Sequence, residues 1–321
     1  MGSQFNKVDK MKIGVVFPGQ ASQYIGMGKE ILEENNKYEE ILKIGERITN
    51  LPLIEKIFNG PIEDLTRTLF CQPSVFGISL VCWRYFKDKA GIIPSYLAGH
   101  SLGEYTALCA GEVFSIEEGF YLVKKRAEIM DEISQKVNGS LLAILGLSLN
   151  DVKGIIKNFN DIEISNINSY TQIIVGGKKD ELEKLEKYLK EKRIKAVFLK
   201  VSGPFHTKYM VEASEILEKE IDKINFKNSK VPIYLNFSSE KTIDKEEIKN
   251  GLLKQLYSPV RWVEIIENMV KDGIECFVEI GPKNVLKKLI EVIVPGIPSF
   301  NIENPEGLKV FSSFLEGGKN V

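Results

Sequence analysis

The chain has 321 residues, 43% of them hydrophobic, which is enough for one large core or for a large domain carrying a smaller insertion. Lys and Arg total 43 and Asp and Glu total 44, so the net charge of −1 provides no global field for nucleic acid or an anionic membrane. No apolar stretch approaches the ~18 residues of a membrane span, so we expect neither nucleic acid nor a membrane as a partner.

The cysteines and the first residues indicate the compartment. The first ten residues are largely polar. The cysteines show no C-x-x-C or Cys/His spacing, so we expect reduced thiols, no metal site, no cofactor and a cytoplasmic location. These cysteines are Cys71, Cys82, Cys109 and Cys276.

The first predicted strand ends at a polar loop. Residues 12–17 (KIGVVF) are apolar after the lysine and predict a buried strand. The next residues, Pro18-Gly19-Gln20-Ala21-Ser22-Gln23, lie where α/β proteins place ligand contacts. Their glycine spacing is not that of a dinucleotide-binding loop, and no P-loop pattern occurs. Helical patterns at 25–34, 37–49 and 74–87 then predict helices flanking a mostly parallel sheet.

A serine lies at a predicted sharp turn between a strand at 96–98 and a helix at 104–110. The turn is Gly99-His100-Ser101-Leu102-Gly103, a G-x-S-x-G pattern. Its glycines let the turn tighten, and the following helix aims N–H groups and a positive dipole end at an oxyanion formed there. An ordinary glycine-flanked turn has the same pattern, so the motif alone does not establish a nucleophile.

One arginine lies on the apolar side of the next predicted helix. Ser115 and Glu118 predict a capping box at its start, and the helical pattern runs to about residue 136. At 100° per residue, Arg126 falls between Leu122 and Met130 and is the only charge on that arc. A buried guanidinium is costly unless an anion faces it, and a carboxylate suits its planar fork. That carboxylate belongs either to a ligand or to an internal Asp or Glu.

The pattern changes between residues 139 and 201. Strands alternate with two helices in the order βαββαβ, which is typical of a ferredoxin-like unit. We therefore predict a small domain, 138–202, inserted into a large α/β domain formed by 11–137 and 203–316. The predicted elements of the small domain are strands at 140–147, 162–167, 172–176 and 195–201 and helices at 150–158 and 179–192.

The remaining chain returns to the large domain. Its patterns predict further helices and two more strands of the main sheet. The helices are predicted at 209–224, 245–255, from 262 onward and at 285–293, and the strands at 233–236 and 275–280.

The chain has only two histidines, and a serine nucleophile needs a base to accept its proton. His100 precedes Ser101 on the strand, so its side chain should leave the opposite face of the turn from the hydroxyl. His206, in a Gly-Pro-Phe-His turn after the insertion, is the remaining candidate. A hydrogen-bonded loop histidine is the alternative interpretation, and no spacing indicates an acid as a third member.

Five motifs occur in the order and rough spacing of the malonyl-CoA:acyl carrier protein transacylases, which the chain resembles from about residue 12 to residue 314. Together these motifs are far more specific than any one of them. They are Phe17-Pro18-Gly19-Gln20-Ala21-Ser22-Gln23, Gly99-His100-Ser101-Leu102-Gly103-Glu104-Tyr105, Arg126, Gly203-Pro204-Phe205-His206 and Gln255-Leu256-Tyr257-Ser258-Pro259-Val260.

The resemblance implies a fold and a reaction. The large domain is expected to be α/β-hydrolase-like with a mostly parallel sheet, and the protein is expected to be a monomer. The implied reaction is ping-pong transfer of a malonyl group from malonyl-CoA to the phosphopantetheine thiol of acyl carrier protein, in fatty acid biosynthesis. Ser101 would be the acylated nucleophile, His206 the general base and acid, and Arg126 the group that binds the malonyl carboxylate.

The resemblance also assigns supporting roles. Backbone N–H groups of Gln20 and Leu102 would form the oxyanion hole. Gln255 would hold His206 through its main-chain carbonyl, and Phe205 would restrict branching at C2 of the acyl group. A serine thioesterase or esterase of the α/β-hydrolase type is the main alternative, although its histidine usually lies near the chain end after an acid. A non-catalytic protein that docks carrier protein is the second alternative.

Two stretches depart from the family pattern. Ala21 replaces the second glycine of G-Q-G-S-Q, so if that position needs a positive φ, the oxyanion loop should be rearranged at some strain. Residues 168–172 replace a stretch that commonly carries Pro-Gly before the glutamine. This departure concerns the loop of the small domain that is expected to face the pocket.

Overall fold

A computed structural model describes residues 11–317, and the polar first ten residues lie outside that range. Within 11–317, no helix is both long enough and apolar enough to cross a membrane. The strands are β1 (Ile13–Phe17), β2 (Tyr96–Gly99), β3 (Gly139–Leu145), β4 (Glu163–Ser169), β5 (Gln172–Lys178), β6 (Lys195–Phe198), β7 (Ile233–Tyr234), β8 (Lys241–Thr242), β9 (Cys276–Ile280) and β10 (Ser299–Ile302). The helices are α1 (Lys29–Glu34), α2 (Glu39–Thr49), α3 (Leu53–Asn59), α4 (Ile62–Thr66), α5 (Thr68–Ala90), α6 (Gly103–Ala110), α7 (Ile116–Val137), α8 (Leu149–Ile156), α9 (Lys179–Glu191), α10 (Val211–Ile221), α11 (Lys245–Tyr257), α12 (Trp262–Lys271), α13 (Val285–Ile293) and α14 (Pro305–Gly317).

Within the described residues, six strands form the main sheet in the order β10-β9-β1-β2-β7-β8. All neighbouring pairs are parallel except β7 and β8, so the predicted α/β fold with a mostly parallel sheet is confirmed. The central strands β1 and β9 are buried along their whole length. Apart from Glu279 of β9, their residues are apolar or glycine, as is typical of a strand covered on both faces.

The main sheet separates two hydrophobic cores. Ile13, Val15 and Phe17 of β1 pack into a core that also contains the buried faces of α2, α5, α6 and α7. Val16 points the other way, into a core built largely from α12, α13 and the second sheet. The alternation follows from the two-residue period of a strand. Both faces of the main sheet are therefore covered, and its carboxyl edge carries the loops described below.

The second sheet contains four strands in the order β4-β5-β3-β6, with every neighbouring pair antiparallel. Its elements follow one another along the chain as β3, α8, β4, β5, α9 and β6. Leu182, Leu185 and Leu189 of α9 are buried against it at helical spacing. Ile167 of β4 donates from its N–H to the carbonyl of Val260 at 2.9 Å, which joins this sheet to the segment after α11.

Some elements differ from their predictions. Helix α1 begins at Lys29 rather than at residue 25 because Gly26 and Gly28 have φ values of 88° and 77°, outside the helical region. Helix α5 begins at Thr68, ahead of the predicted residue 74. The sequence patterns do not predict α3, α4, β8, β10 or α14, which are mostly short elements or elements flanked by proline.

Candidate active site

The turn between β2 and α6 holds Ser101 in a left-handed conformation, with φ of 52°. A Cβ atom on Gly99 would lie 1.9 Å from the backbone carbon of Gly103, and one on Gly103 would lie 2.1 Å from the carbonyl oxygen of Phe17. Neither glycine can therefore carry a side chain without moving backbone. The close approach places the serine at the carboxyl end of β2, next to the end of β1, as G-x-S-x-G predicts.

Ser101 and His206 face each other across the site. The serine Oγ lies 2.7 Å from His206 Nε2, and His206 Nδ1 lies 2.8 Å from the main-chain carbonyl oxygen of Gln255. Because a carbonyl oxygen only accepts, Nδ1 carries the hydrogen and donates it to Gln255. Nε2 is then free to accept the hydroxyl proton. The structure thus brings together the serine, histidine and glutamine that the sequence places far apart.

The His206 imidazole is held in its neutral form. The residue is only 3% exposed, and burial lowers its pKa from 6.5 to about 3. The positive charge of Arg126 lowers the pKa further, whereas the hydrogen bond to the Gln255 carbonyl acts in the opposite direction. A neutral ring next to a hydroxyl is the state that a general base needs before reaction.

Arg126 lies on the inner face of α7 and is 1% exposed, as the helical spacing predicts. Its Nη1 donates to Gln72 Oε1 at 2.8 Å, and its Nη2 donates to Ser101 Oγ at 3.1 Å and to Gln255 Oε1 at 3.2 Å. Within residues 11–317, no carboxylate oxygen lies within 4 Å of the guanidinium, and its Nε has no partner. The internal ion pair that the sequence left open is therefore absent from the described chain. A buried positive charge beside the serine is left to face neutral amides.

The loop after β1 lies against the serine turn. A Cβ on Gly19 would lie 2.4 Å from the carbonyl oxygen of His100, so the two segments are in direct contact. Across the described residues, neither the Gln20 N–H nor the Leu102 N–H donates to another backbone or side-chain acceptor. Two N–H groups therefore lack an acceptor in the described chain: that of Leu102, which follows Ser101 in the turn, and that of Gln20, in the loop that contacts the turn.

Ala21 has φ of 81°, so the residue that replaces the family's glycine adopts a conformation that glycine favours. Such a backbone costs an alanine on the order of 1 kcal/mol. The Ala21 N–H donates to Gln23 Oε1 at 2.8 Å, and its carbonyl accepts from Lys283 Nζ at 3.2 Å. These contacts hold the strained loop in place.

His100 contacts residues 168–172, the stretch that differs from the family pattern, on the far side of the turn. His100 Nε2 lies 2.8 Å from Asn168 Oδ1, so this ring leaves the turn on the side away from the hydroxyl, as expected. Tyr170 is 48% exposed and donates to Glu267 Oε1 at 2.7 Å. Asn168 therefore faces the serine turn, whereas Tyr170 points toward α12.

Phe205 is the predicted site residue whose role the geometry leaves most open. Its side chain is buried in the larger core, and its carbonyl oxygen accepts from the hydroxyl of Ser165 of β4 at 2.9 Å. Its role in restricting the acyl group stays a prediction.

Sequence reasoning missed three residues that contact this site. Gln72 of α5 holds Arg126, and Glu104 and Asn236 lie buried behind the serine turn. Burial raises the pKa of the Glu104 carboxyl to about 7. Asn236 could have been suspected as a site residue from the sequence, because it is a polar residue near the end of a predicted parallel strand, where α/β proteins place their sites.

Known proteins are similar to this chain in sequence and in fold. A family model described as an acyl transferase domain matches residues 15–295. The malonyl CoA-acyl carrier protein transacylase of Bacillus subtilis (strain 168) is 35% identical over 304 residues, covering 93% of this chain and 96% of that protein. The crystal structure of a protein of that name from Clostridium perfringens has a TM-score of 0.90 at 32% identity, covering 96% of this chain and 98% of that one. A malonyl-transacylase in complex with a type II PKS acyl-carrier protein has a TM-score of 0.89 at 30% identity, covering 95% and 99%.

Proposed function

The chain belongs to the acyl transferase family, among the malonyl-CoA:acyl carrier protein transacylases, and we propose that it carries the malonyl group as an ester of Ser101. It is an acyltransferase whose donor is malonyl-CoA and whose acceptor is acyl carrier protein, in fatty acid biosynthesis. The observation that carries the proposed roles is the contact of one hydroxyl with both a neutral imidazole and an unpaired guanidinium.

In the first half-reaction, Ser101 Oγ attacks the thioester carbonyl while His206 Nε2 takes its proton. The tetrahedral oxyanion is bound by the N–H groups of Gln20 and Leu102, which have no acceptor in the described protein. The C–S bond then breaks, and the imidazolium returns its proton to the departing coenzyme A sulfur. The Gln255 carbonyl stabilises the imidazolium through its hydrogen bond to Nδ1.

In the second half-reaction, the phosphopantetheine thiol of the carrier protein attacks the malonyl ester. His206 takes the thiol proton and gives it to Ser101 Oγ as the ester bond breaks. The same base and the same oxyanion donors therefore serve both halves, and the enzyme returns to its starting protonation state.

Arg126 selects the malonyl group in this proposal. A malonyl carboxylate would complete the charge balance of a guanidinium that has only amide and hydroxyl partners in the described chain. An acetyl group would leave that charge unpaired, which costs several kcal/mol in a buried site. Phe205 would limit substituents at C2 of the acyl group.

We also propose a division into domains and a cellular setting. The strand order and antiparallel pairing of the second sheet support a ferredoxin-like domain, 138–202, inserted into an α/β-hydrolase-like domain of 11–137 and 203–316. A monomeric enzyme in the cytoplasm is the expected setting.

The test is incubation with malonyl-CoA followed by mass mapping of tryptic peptides. We expect a malonyl adduct on the peptide that contains Ser101, and no adduct in a Ser101→Ala variant or in a His206→Ala variant after a short exposure. Ser22→Ala, which removes another serine hydroxyl from the neighbouring loop, should still be labelled. Rapid release of free malonate without any thiol acceptor would favour the esterase alternative, and absence of labelling in the unmodified protein would favour a non-catalytic docking protein.

A further inference from the structure

Asn236 has all four of its polar atoms engaged around the serine turn, although it touches neither hydroxyl nor imidazole. Its Oδ1 accepts from the Ser101 N–H at 2.7 Å, and its Nδ2 donates to the Gly99 carbonyl at 2.6 Å. Its own N–H donates to Glu104 Oε2 at 2.9 Å, and its carbonyl accepts from the Arg261 N–H at 3.1 Å. The residue is 1% exposed, so these bonds are shielded from water.

The side-chain amide of Asn236 continues the hydrogen bonding between β2 and β7 beyond the last backbone pair. Strands β2 and β7 pair in parallel from Leu97 with Ile233 to Ala98 with Tyr234, and β7 then ends. Beyond that point, the side-chain amide of Asn236 supplies one acceptor and one donor to the chain of β2, as a neighbouring strand would. The ladder therefore extends through the turn that carries the serine.

That support matters because Ser101 is held at a strained φ of 52°. A strained residue keeps its conformation only when its surroundings determine it. The Asn236 amide holds the N–H of Ser101 and the carbonyl of Gly99, two residues earlier. These two groups enclose the backbone of His100, at the start of the turn. Glu104, one helical turn further on, fixes the Asn236 backbone and also accepts from Gln255 Nε2 at 3.2 Å.

Because the Ser101 N–H donates to Asn236 Oδ1, it is not free to donate to the oxyanion. A nucleophile's own N–H can serve an oxyanion hole in other acyl-transfer enzymes. Here Asn236 occupies it, so the oxyanion depends on the N–H groups of Gln20 and Leu102.

We propose that Asn236 is a positioning residue for acyl transfer: its side-chain amide aims the Ser101 hydroxyl by clamping the backbone on both sides of the serine turn. The proposal rests on the proposed function of Ser101 as the acylated nucleophile. It concerns the rate of acylation and not the binding of malonyl-CoA, because the amide faces the protein backbone.

The test compares Asn236→Ala, Asn236→Asp and the unmodified enzyme in rapid-quench measurements of Ser101 acylation. In Asn236→Ala, the maximal acylation rate should fall about 10- to 100-fold, since a small misplacement of a reacting group can cost about 100-fold. The malonyl-CoA concentration at half-maximal rate should change less than about threefold. Asn268→Ala is the control, because its amide also donates to a loop carbonyl, that of Ser239 at 3.0 Å, without contacting the site.

The aspartate variant separates clamping from mere packing. A protonated carboxyl can accept from the Ser101 N–H and donate to the Gly99 carbonyl, whereas an ionised one cannot donate. The acylation rate of Asn236→Asp should therefore fall between pH 6 and pH 8 more steeply than that of the unmodified enzyme, in which burial raises the pKa of Glu104 to about 7. Among the residues that the structure describes, four with titratable or charged groups are joined to position 236 by hydrogen bonds. Glu104 and the backbone of Arg261 are joined directly, whereas His206 and Arg126 are joined through Ser101. All four are also present in the unmodified enzyme, so the comparison between the two proteins isolates the new carboxyl group.

Several results would overturn the proposal. An acylation rate within twofold of the unmodified enzyme for Asn236→Ala would do so, as would a loss confined to the half-maximal concentration. A pH profile of Asn236→Asp parallel to that of the unmodified enzyme would have the same meaning. If Asn236→Ala does not fold, judged by its thermal unfolding, the aspartate variant decides alone. Absence of a Ser101 adduct in the unmodified enzyme would instead contradict the proposed function.

Discussion

Each ring nitrogen of His206 has a different partner, and the partners differ in what they can accept. The Gln255 carbonyl fixes the hydrogen on Nδ1, and the Ser101 hydroxyl occupies Nε2. Within residues 11–317 no carboxylate contacts the ring, so an imidazolium formed in the proposed reaction would be stabilised by a neutral dipole. The imidazole therefore has a low affinity for protons before substrate arrives.

The low pKa of His206 predicts an unusual pH profile. Burial and the charge of Arg126 lower this pKa to about 3, so the neutral ring persists well below pH 6.5. We expect the rate of Ser101 acylation to show no acid limb near pH 6.5 and to remain substantial at pH 5.5. Single-turnover acylation measured from pH 5 to pH 9 checks this expectation. A half-maximal rate near pH 6.5 would contradict the burial argument.

Arg126→Ala should change the choice of acyl group. Without the guanidinium, a malonyl carboxylate loses its partner, and an acetyl group no longer leaves a buried charge unpaired. The ratio of malonyl to acetyl loading should fall by about 100-fold or more, which corresponds to about 3 kcal/mol. Competition between malonyl-CoA and acetyl-CoA, scored by adduct mass on Ser101, measures that ratio.

Lys125→Ala provides the control for Arg126→Ala, because it removes a positive charge from the neighbouring position of α7, where Lys125 pairs with Glu128 on the outer face. Its loading ratio should stay unchanged. Equal ratios for all three proteins would show that Arg126 does not select the malonyl group.

How far the site could be predicted depended on how local each signal was. The two flanking glycines indicate Ser101, and the helical spacing of apolar residues indicates Arg126. His206 could be chosen because the chain offers only two histidines. Gln72 could not be chosen in this way, since its contact with Arg126 depends on how distant segments meet in three dimensions. Asn236 could be suspected only as a polar residue near the end of a strand, and its contact with the serine turn is visible only in the structure. Glu104 lies within a recognised motif, but its burial behind the turn is visible only in the structure.

At the scale of elements, the strand-turn-helix unit β2–α6 is determined by close backbone contacts. Its two glycines are needed because backbone from the same turn and from β1 lies where a side chain would be. The capping box of α7 is likewise confirmed, with Ser115 Oγ accepting from the Glu118 N–H at 3.2 Å and Glu118 Oε2 accepting from the Ser115 N–H at 2.8 Å. The serine turn and the capping box could be predicted because the residues that form each of them lie within a few positions of one another in the sequence.

Gly99→Ala should break the serine turn. The new methyl group would lie 1.9 Å from the Gly103 backbone, so strand and helix would have to move apart. We expect a loss of about 3 kcal/mol or more in the free energy of unfolding, in the range of severe single substitutions, together with loss of acylation. Urea denaturation measures the first effect and adduct formation the second.

Gly154→Ala is the matched control for Gly99→Ala. Gly154 lies inside α8 with open space around its Cβ position, so alanine there should raise stability by up to about 1 kcal/mol. Similar stability for the two variants would contradict the requirement for glycine at position 99.

The elements that sequence patterns missed share a physical reason. Helices α3 and α4 are short and separated by Gly60-Pro61, which is typical of a turn. Strand β10 has four residues and lies at the edge of the main sheet, so its apolar pattern is weak. Their stability comes from packing against distant segments, which no local window contains.

At the scale of the whole molecule, two sheets are joined through the segment after α11. The N–H of Val260 donates to the Ser165 carbonyl at 2.9 Å, and Asn168 of β4 contacts His100 of the serine turn. The order βαββαβ was predictable from alternating patterns within about 60 residues. The attachment of that unit to the turn and to the Gln255 segment was not, since it joins positions far apart in the chain.

Glu279, buried in β9, should make the whole fold less stable as pH rises. Its carboxylate accepts from the N–H groups of Leu286 and Lys287, yet burial raises its pKa from 4.5 to about 8. A raised pKa stabilises the fold fully below the unfolded value, and that stability is lost as pH rises through the folded value. The slope for one such group approaches about 1.4 kcal/mol per pH unit. His206, whose pKa is lowered, contributes in the opposite sense and only below pH 6.5.

Glu279→Gln should therefore flatten the fall in unfolding free energy between pH 6.5 and pH 8. Urea denaturation at four pH values measures the slope, and Glu183→Gln on the exposed face of α9 provides the control. A residual slope is expected from Glu104, whose pKa is also raised, to about 7. Parallel curves for Glu279→Gln and the unmodified protein would show that Glu279 does not titrate in this way.

The hydrogen bond from Gln255 Nε2 to the carbonyl of Ser101 spans 154 positions, and the histidine itself lies 105 positions after the serine. During synthesis, the Ser101 hydroxyl therefore leaves the ribosome long before the groups that are proposed to activate it. Under the proposed mechanism, a nascent polypeptide interrupted ahead of position 255 holds a serine that cannot consume cellular thioesters. Acyl transfer would begin only when the late portion of the polypeptide has folded onto the early one.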